Sequence, residues 1–219
     1  MSKKKTIYFH IGNHKTGTSS LQLFFKKKSN YFLKHNLLYP IEKQSTNHHN
    51  VSWQAIKHFY FNKNGQSIEK LLNIIKKNRN LNVLISSENF ENLKFSKKFK
   101  VFLLTLKKTH NFKIIWSVRE QFSYALSLLT MLINKGAYLK NFDMFFKKIL
   151  KDGVFIFKPY IFWFDYYKQY KLIKNIFGVN KNDIFLIIYS KNSNVFENFC
   201  RVLSINLKIK KKLIEKNTT

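Results

Sequence analysis

The sequence predicts an α/β fold of three layers, in which a central parallel sheet lies between helices and the first strand leads into a P-loop-like anion-binding turn. Four short runs rich in β-branched and aromatic residues alternate with longer stretches of helical periodicity, as in βαβ units. These runs are almost continuously apolar, which is typical of strands buried on both faces. The first run ends in a glycine-bearing turn, HIGNHKTG, directly before an apolar-periodic segment.

The elements follow one another along the whole chain. Strands are predicted at 6–11, 82–86, 113–118 and 184–189. Helices are predicted at 18–35, 51–61, 67–78, 96–108, 120–134, 142–150, 160–176 and 194–203. The aromatic-rich segment 154–170 is interpreted as helical core, with a stacking platform for sugar rings or a membrane-interface belt as the alternatives. The segment 39–50, YPIEKQSTNHHN, is predicted to be an irregular functional loop.

Size and composition indicate one folded unit. The chain has 219 residues, of which 45% are hydrophobic and 17% aromatic, so it can bury a substantial core and we expect a single domain over 1–219. The one cysteine, Cys200, lies in an apolar segment and excludes both an intramolecular disulfide and a cysteine-based metal site.

The charge is strongly positive. The formal net charge of +29 comes from 40 basic and 11 acidic residues, which favours an anionic partner such as nucleic acid or a membrane surface. The alternative is compositional drift toward lysine, since only three basic residues are arginines and the lysines are spread along the chain. No signal-peptide core and no apolar window long enough to span a membrane is evident, so the chain is predicted to be cytoplasmic, with peripheral membrane attachment left open.

The turn after the first strand nearly matches a nucleoside-triphosphate loop. Gly12 and Gly17 have the G-x-x-x-x-G spacing, but Thr18 stands where such loops place lysine, and the lysine is Lys15. In a strand, turn and helix of this kind, backbone N–H groups and the helix dipole favour an anion. The hydroxyls offered to that anion belong to Thr16, Thr18, Ser19 and Ser20. An ordinary N-capped helix would explain the hydroxyls but not the spaced glycines with a lysine between them.

The motif KTGTSS, preceded by HIG and followed by LQ, closely resembles the 5′-phosphosulfate loop of sulfotransferases, which use 3′-phosphoadenosine 5′-phosphosulfate (PAPS) as donor and release adenosine 3′,5′-bisphosphate (PAP). A second motif supports the resemblance: after KIIWSV, Arg119 and Ser127 match the family's 3′-phosphate clamp. The resemblance extends from residue 7 to about 207. It implies that the donor is bound by the residues His14, Lys15, Thr16, Gly17, Thr18, Ser19, Ser20, Arg119 and Ser127. It requires no metal, and no Walker B-like aspartate closes an apolar strand.

Two departures from the family refine the expectation. The adenine loop R-K-G-x-x-G of cytosolic members is absent, so the chain looks closer to bacterial and Golgi-type carbohydrate sulfotransferases, and the acceptor is expected to be a carbohydrate or glycolipid. The segment IFLIIYSKNSNVFENFCRVLSI resembles the family's late strand and helix, with Ser204 in place of a glycine. Because the chain ends at KNTT, we expect the C-terminal part of the usual fold to be missing or reduced.

Three residues are the candidates for the chemistry. Lys15 is expected to neutralise charge on the departing 5′-phosphate. Glu88, just after the second strand in SSENF, is the first candidate for the base that activates the acceptor. Its alternative roles are capping the next helix or pairing with a lysine. His49, with its neighbour His48, is the second candidate for the base, and the alternative is a pair of solvent-exposed loop histidines.

Two other functions remain open from the sequence. A P-loop kinase or NTPase is disfavoured by Thr18 at the usual lysine position and by the missing magnesium-binding aspartate. A basic nucleic-acid-binding protein with a vestigial P-loop would bind DNA with a steep dependence on salt. His10, in or beside the first strand, is predicted to be a packed core residue.

Overall fold

A computed structural model describes residues 4–134, 136, 142–190 and 194–205. The N-terminal residues 1–3 and the tail from 206 onward, which bear on the predicted membrane attachment and C-terminal reduction, lie outside the described residues. Within the described part, no helix is both long and apolar enough to cross a bilayer.

Strands and helices alternate along most of the chain. The strands are β1 Lys5–Gly12, β2 Leu37–Leu38, β3 Asn82–Ser86, β4 His110–Arg119, β5 Val154–Phe157, β6 Tyr160–Trp163 and β7 Ile184–Tyr189. The α-helices are α1 Thr18–Lys27, α2 Ser29–Lys34, α3 His49–Ile56, α4 Ile68–Lys77, α5 Lys97–Lys107, α6 Gln121–Asn134, α7 Phe142–Asp152, α8 Tyr166–Phe177 and α9 Val195–Val202. Short 3₁₀ helices cover Glu88–Asn92 and Lys181–Asp183.

The central sheet is parallel, which confirms the predicted fold class. Its strand order is β2-β3-β1-β4-β7, and all four pairings are parallel. Gly12 at the end of β1 pairs with Ser117 on β4, while Arg119 pairs with Tyr189 on β7. The carboxyl ends of β1, β3, β4 and β7 therefore meet at one edge, where open α/β sheets bind ligands.

Helices cover both faces of the sheet. Phe9 of β1 belongs to a buried cluster with residues of α3, α4, α5 and α8. Its neighbour Tyr8, whose side chain points to the opposite face, belongs to a second cluster with residues of α1, α2 and α9. β1, β3 and β4 are covered on both faces, which is why they appear in the sequence as nearly continuous apolar runs. The edge strand β7 is also apolar, but its Leu186 and Ile188 are more than half exposed.

The aromatic segment differs from its prediction. The helix predicted at 160–176 is wrong over its first part, because β5 and β6 form an antiparallel hairpin and α8 begins only at Tyr166. Asp165 caps α8 by accepting a hydrogen bond from the Lys168 N–H at 2.9 Å.

Two other predicted helices differ in extent. The helix predicted at 18–35 is broken at Lys28, whose backbone leaves the helical region (φ −106°, ψ 15°). The helix predicted at 51–61 begins at His49 and ends at Ile56.

Candidate active site

The anion-binding turn lies directly beyond β1 and has an unusual backbone. Both Lys15 (φ 65°) and Gly17 (φ 71°) adopt the left-handed conformation, which is uncommon for a lysine. Gly17 is the N-cap of α1 and has no side chain to satisfy the first N–H groups of the helix. Those donors and the positive end of the helix dipole are therefore available to an anion at this place.

The two threonines of the turn shape it from inside. Thr16 is fully buried and donates a hydrogen bond to the Asn13 carbonyl at 2.6 Å. Thr18 is also buried, and a Cβ on Gly12 would come within 2.6 Å of its methyl group. Ser19 is exposed and Ser20 is half-buried in the first turn of α1. The threonine side chains thus hold the loop, while the serines and the exposed Lys15 lie nearer to solvent.

Asn13, which the sequence analysis did not single out, ties the turn to its surroundings. Its backbone N–H donates to the Ser117 carbonyl on β4 at 2.8 Å. Its side-chain oxygen accepts a hydrogen bond from Gln169 on α8 at 3.2 Å. These buried contacts hold the turn in place between β4 and α8.

The turn and Arg119 come together across the sheet edge. The guanidinium Nη1 of Arg119 donates to the Lys15 carbonyl at 3.4 Å. The ring of Tyr189, at the end of β7, lies under this guanidinium at 5.6 Å and also packs against Gly17. Tyr189 was missed by the sequence analysis and links the two predicted phosphate-binding motifs. Ser127 is half-buried in the second turn of α6.

Glu88 and His49 form a couple at the carboxyl end of β3. The His49 Nε2 lies 3.2 Å from a Glu88 carboxylate oxygen, and His49 Nδ1 shares a hydrogen bond of 2.8 Å with the Ser87 hydroxyl. The other Glu88 oxygen accepts a hydrogen bond from Gln22 of α1 at 3.0 Å. Burial alone would raise the pKa of Glu88, but the hydrogen bond and charge of His49, with the charge of His14, hold that pKa well below its usual range.

A second histidine and carboxylate meet beside this couple. His14 of the turn contacts Glu91, which belongs to the same 3₁₀ helix as Glu88 and is 1% exposed. Residues three apart in a 3₁₀ helix lie on the same side of it, which explains why the two carboxylates face the same region. Burial raises the pKa of the Glu91 carboxyl, and the contact with His14 opposes that rise. Glu91 was not among the sequence-based candidates.

Two other histidines are structural. His10 is fully buried and shares hydrogen bonds with the hydroxyls of Ser86 at 2.8 Å and Ser117 at 3.1 Å, which confirms it as a packed core residue. Burial lowers the His10 pKa to about 4. His48 is 1% exposed, so its interpretation as a solvent-exposed loop histidine is wrong; its Nδ1 accepts a hydrogen bond from the Ser86 N–H, and burial lowers its pKa to about 3.

Comparison with known proteins gives a fold but no close relative. No family model and no curated protein sequence matches the chain. A sulfotransferase structure from Alicyclobacillus acidocaldarius is 14% identical with a TM-score of 0.54, and the match covers 97% of this chain and 89% of that one. A mouse sulfotransferase complexed with PAP is 15% identical with a TM-score of 0.49, and retinol dehydratase in complex with androsterone and inactive cofactor PAP is 12% identical with a TM-score of 0.42. This chain spans 62% of the length of each of those two. The first likeness shows that the chain has the sulfotransferase fold.

Proposed function

We propose that this protein is a sulfotransferase that moves a sulfuryl group from PAPS to a hydroxyl or amine of a carbohydrate or glycolipid acceptor. The observation that carries the proposal is the contact between Arg119 and the Lys15 carbonyl across the end of the sheet. It brings the two motifs that resemble the family's 5′-phosphosulfate loop and 3′-phosphate clamp to one place, as a donor with phosphates at both ends requires.

The residues present fit such a donor. The uncapped N-terminus of α1, with Lys15 and the hydroxyls of Ser19 and Ser20, would hold the 5′-phosphosulfate. The fork of Arg119 would hold the 3′-phosphate by two parallel hydrogen bonds, with Ser127 adding a hydroxyl. Thr16, Thr18 and Gly17 would act mainly by fixing the backbone of the loop. His14, next to Lys15, would lie at the reacting end of the donor.

In the reaction, the S–O bond to the 5′-phosphate oxygen breaks and a new S–O bond to the acceptor oxygen or nitrogen forms. The electron pair of the broken bond leaves with PAP, whose 5′-phosphate gains negative charge. Lys15 and the N–H groups of α1 stabilise that charge as it develops, which is where cations and N–H donors lower a barrier most.

The acceptor proton goes to the couple formed by His49 and Glu88. Both Glu88 carboxylate oxygens are already engaged, one by Gln22 and the other by His49, whereas an imidazole ring can take up and release a proton near neutral pH. We therefore assign proton acceptance to His49, with Glu88 orienting the ring and stabilising the imidazolium that forms. Gln22 fixes Glu88 from the α1 side by its hydrogen bond.

The test of donor binding is a thermal-shift comparison of PAP with 5′-AMP and with MgATP. We expect PAP to raise the melting temperature more than either of the other two, because only PAP carries both a 3′- and a 5′-phosphate on the ribose. Arg119→Ala should abolish the advantage of PAP over 5′-AMP. Arg79→Ala, an exposed arginine between α4 and β3, is the matched control and should keep it.

The outcomes separate the proposal from the alternatives. A shift by MgATP as large as that by PAP would favour a kinase or NTPase and contradict the proposal. Equal shifts by all three nucleotides that vanish with added salt would indicate general anion binding by the lysine-rich surface.

The test of chemistry uses labelled PAPS and single variants. Lys15→Ala should lower transfer by about 10²–10³-fold, as loss of one charge-stabilising donor does in other enzymes. His49→Ala should lower transfer while leaving the PAP-induced shift intact. Transfer at the unaltered rate in both variants would refute the roles assigned to Lys15 and His49.

A further inference from the structure

A chain of contacting aromatic rings borders the pair His49–Glu88 and the turn after β1. We call it the aromatic arc. Its neighbouring ring centroids are 4.9–5.7 Å apart, within the range in which aromatic rings contact one another. The arc runs in the order His49, Trp53, Tyr60, His58, Tyr160 and His14.

Both ends of the aromatic arc are histidines of the candidate active site. His49 pairs with Glu88 at one end, and His14 contacts Glu91 at the other. Since both carboxylates come from one 3₁₀ helix, the arc borders the region where proton transfer is proposed. Its ring Tyr160 belongs to β6, which the sequence analysis interpreted as helical core.

The outer part of the aromatic arc is open to solvent and firmly held. Tyr60 is 57% exposed, and its neighbour Phe59, 4.4 Å away by ring centroid, is 73% exposed. Between them and the core, His58 is 3% exposed; its Nδ1 accepts a hydrogen bond from the Tyr60 N–H at 3.0 Å. Its carbonyl accepts another from the Phe61 N–H at 3.1 Å. Phe59 and Tyr60 thus form an adjacent pair of exposed aromatic rings, a kind of apolar surface that can bind a partner or ligand.

We propose that the aromatic arc is the acceptor subsite and that the ring it takes is a sugar. This inference rests on the proposed function and assigns the side chains that would bind its sugar acceptor. A sugar ring has an apolar C–H face that packs on an aromatic ring and hydroxyls at its edge that reach tyrosine and histidine polar atoms. A wholly apolar acceptor would instead need a concave pocket that encloses most of its surface, whereas Tyr60 and Phe59 are more than half exposed.

The aromatic arc connects the exposed rings to the proposed base. Tyr60 contacts Trp53 at 5.6 Å, and Trp53 contacts His49 at 5.7 Å. The opposite end of the arc at Tyr160 leads to His14 and the donor loop.

The experiment measures transfer from labelled PAPS to lactose, cellobiose and N,N′-diacetylchitobiose, with 2-naphthol as an aryl acceptor. For a sugar that is sulfated, Tyr60→Ala should raise the KM for the sugar by about tenfold because one stacking face is lost. Tyr60→Phe keeps the ring and should change that KM by less than about threefold. Tyr167→Ala replaces another tyrosine that is more than half exposed, on α8; it is the matched control and should leave the KM for the sugar unchanged.

The outcomes distinguish this inference from the proposed function. If PAP stabilises the protein but only 2-naphthol is sulfated, or none of the three sugars is, the sugar subsite is refuted and donor binding stands. Sugar sulfation with the same KM in Tyr60→Ala would refute the role of the aromatic arc. If PAP fails to stabilise the unaltered protein, the proposed function falls and this inference with it.

Discussion

Replacing Gly17 by alanine puts a methyl group where the turn after β1 has no room for one. Gly17 has a φ of +71°, and the left-handed conformation costs an L-residue about 1–2 kcal/mol. For a domain of this size that is a fall in melting temperature of about 2–8 °C. The new Cβ would also lie 2.9 Å from Cε2 of Tyr189, so the tyrosine ring must move.

The movement of Tyr189 is what connects this change to function. The ring lies 5.6 Å from the Arg119 guanidinium, so its displacement alters the place where the 3′-phosphate is proposed to bind. We expect Gly17→Ala to weaken the binding of PAP by about tenfold or more, which corresponds to the loss of roughly one charge-assisted hydrogen bond. Isothermal titration calorimetry with PAP measures this affinity, and a thermal melt of the free protein measures the stability.

Gly136→Ala provides the matched control. Gly136 has nearly the same φ of +72°, and a Cβ there would meet no atom of the described residues within 4 Å. Its substitution should lower the melting temperature through the backbone alone and leave the PAP affinity unchanged. If Gly17→Ala binds PAP as tightly as Gly136→Ala does, the link from Gly17 through Tyr189 to Arg119 is refuted.

Two further predictions follow from the buried titratable groups. Because burial holds the pKa values of His10 and His48 near 4 and 3, the unfolded chain takes up protons first. The free energy of unfolding should therefore be highest above about pH 6.5 and should fall as the pH is lowered below it, by up to about 2.7 kcal/mol per pH unit for two protons. Urea denaturation that gives the same free energy of unfolding at pH 7.5 and at pH 5 would contradict this. Glu91→Gln should lower the transfer rate while leaving the PAP affinity unchanged, since an amide cannot stabilise a charged His14. Glu69→Gln, which removes an exposed partner of Lys98, is its control, and equal rates in the two variants would count against a role for Glu91.

The strands were predictable because each is a nearly continuous apolar run. β1, β3 and β4 are largely buried on both faces, whereas the edge strand β7 exposes Leu186 and Ile188. The predicted 82–86 and 184–189 match β3 and β7, and the other two fall within β1 and β4. Helix ends were predictable where a side chain marks them. The first residues of the helices predicted at 67–78 and 96–108 are the N-caps Ser67 and Ser96, which accept hydrogen bonds from the Lys70 and Phe99 N–H groups. These features depend on residues that are close together in the sequence, so they could be predicted from the sequence alone.

Long-range features were not predictable in the same way. The hairpin β5 and β6 lacks a clear alternation, and only Pro159 between two aromatic runs argued against a helix there. Glu91 and Tyr189 enter the site through contacts with His14 and Gly17, which lie 77 and 172 positions away. Nothing in their own neighbourhoods indicates these partners, because the sheet order alone brings them together. The individual roles of Lys15, His49 and the other site residues stay predictions until variants are measured.

Apart from His14, which follows β1, the rings of the aromatic arc come from stretches of the chain outside the central sheet. The donor-side residues sit at the ends of β1, β4 and β7, where an eight-pair ladder between β1 and β4 fixes their spacing. The rings Tyr60 and Tyr160 come from the turn after α3 and from the hairpin, outside that ladder. The side chains at these two positions can therefore be exchanged without shifting the strands of the central sheet. A library randomised at 59, 60 and 160 would diversify recognition on an unaltered scaffold.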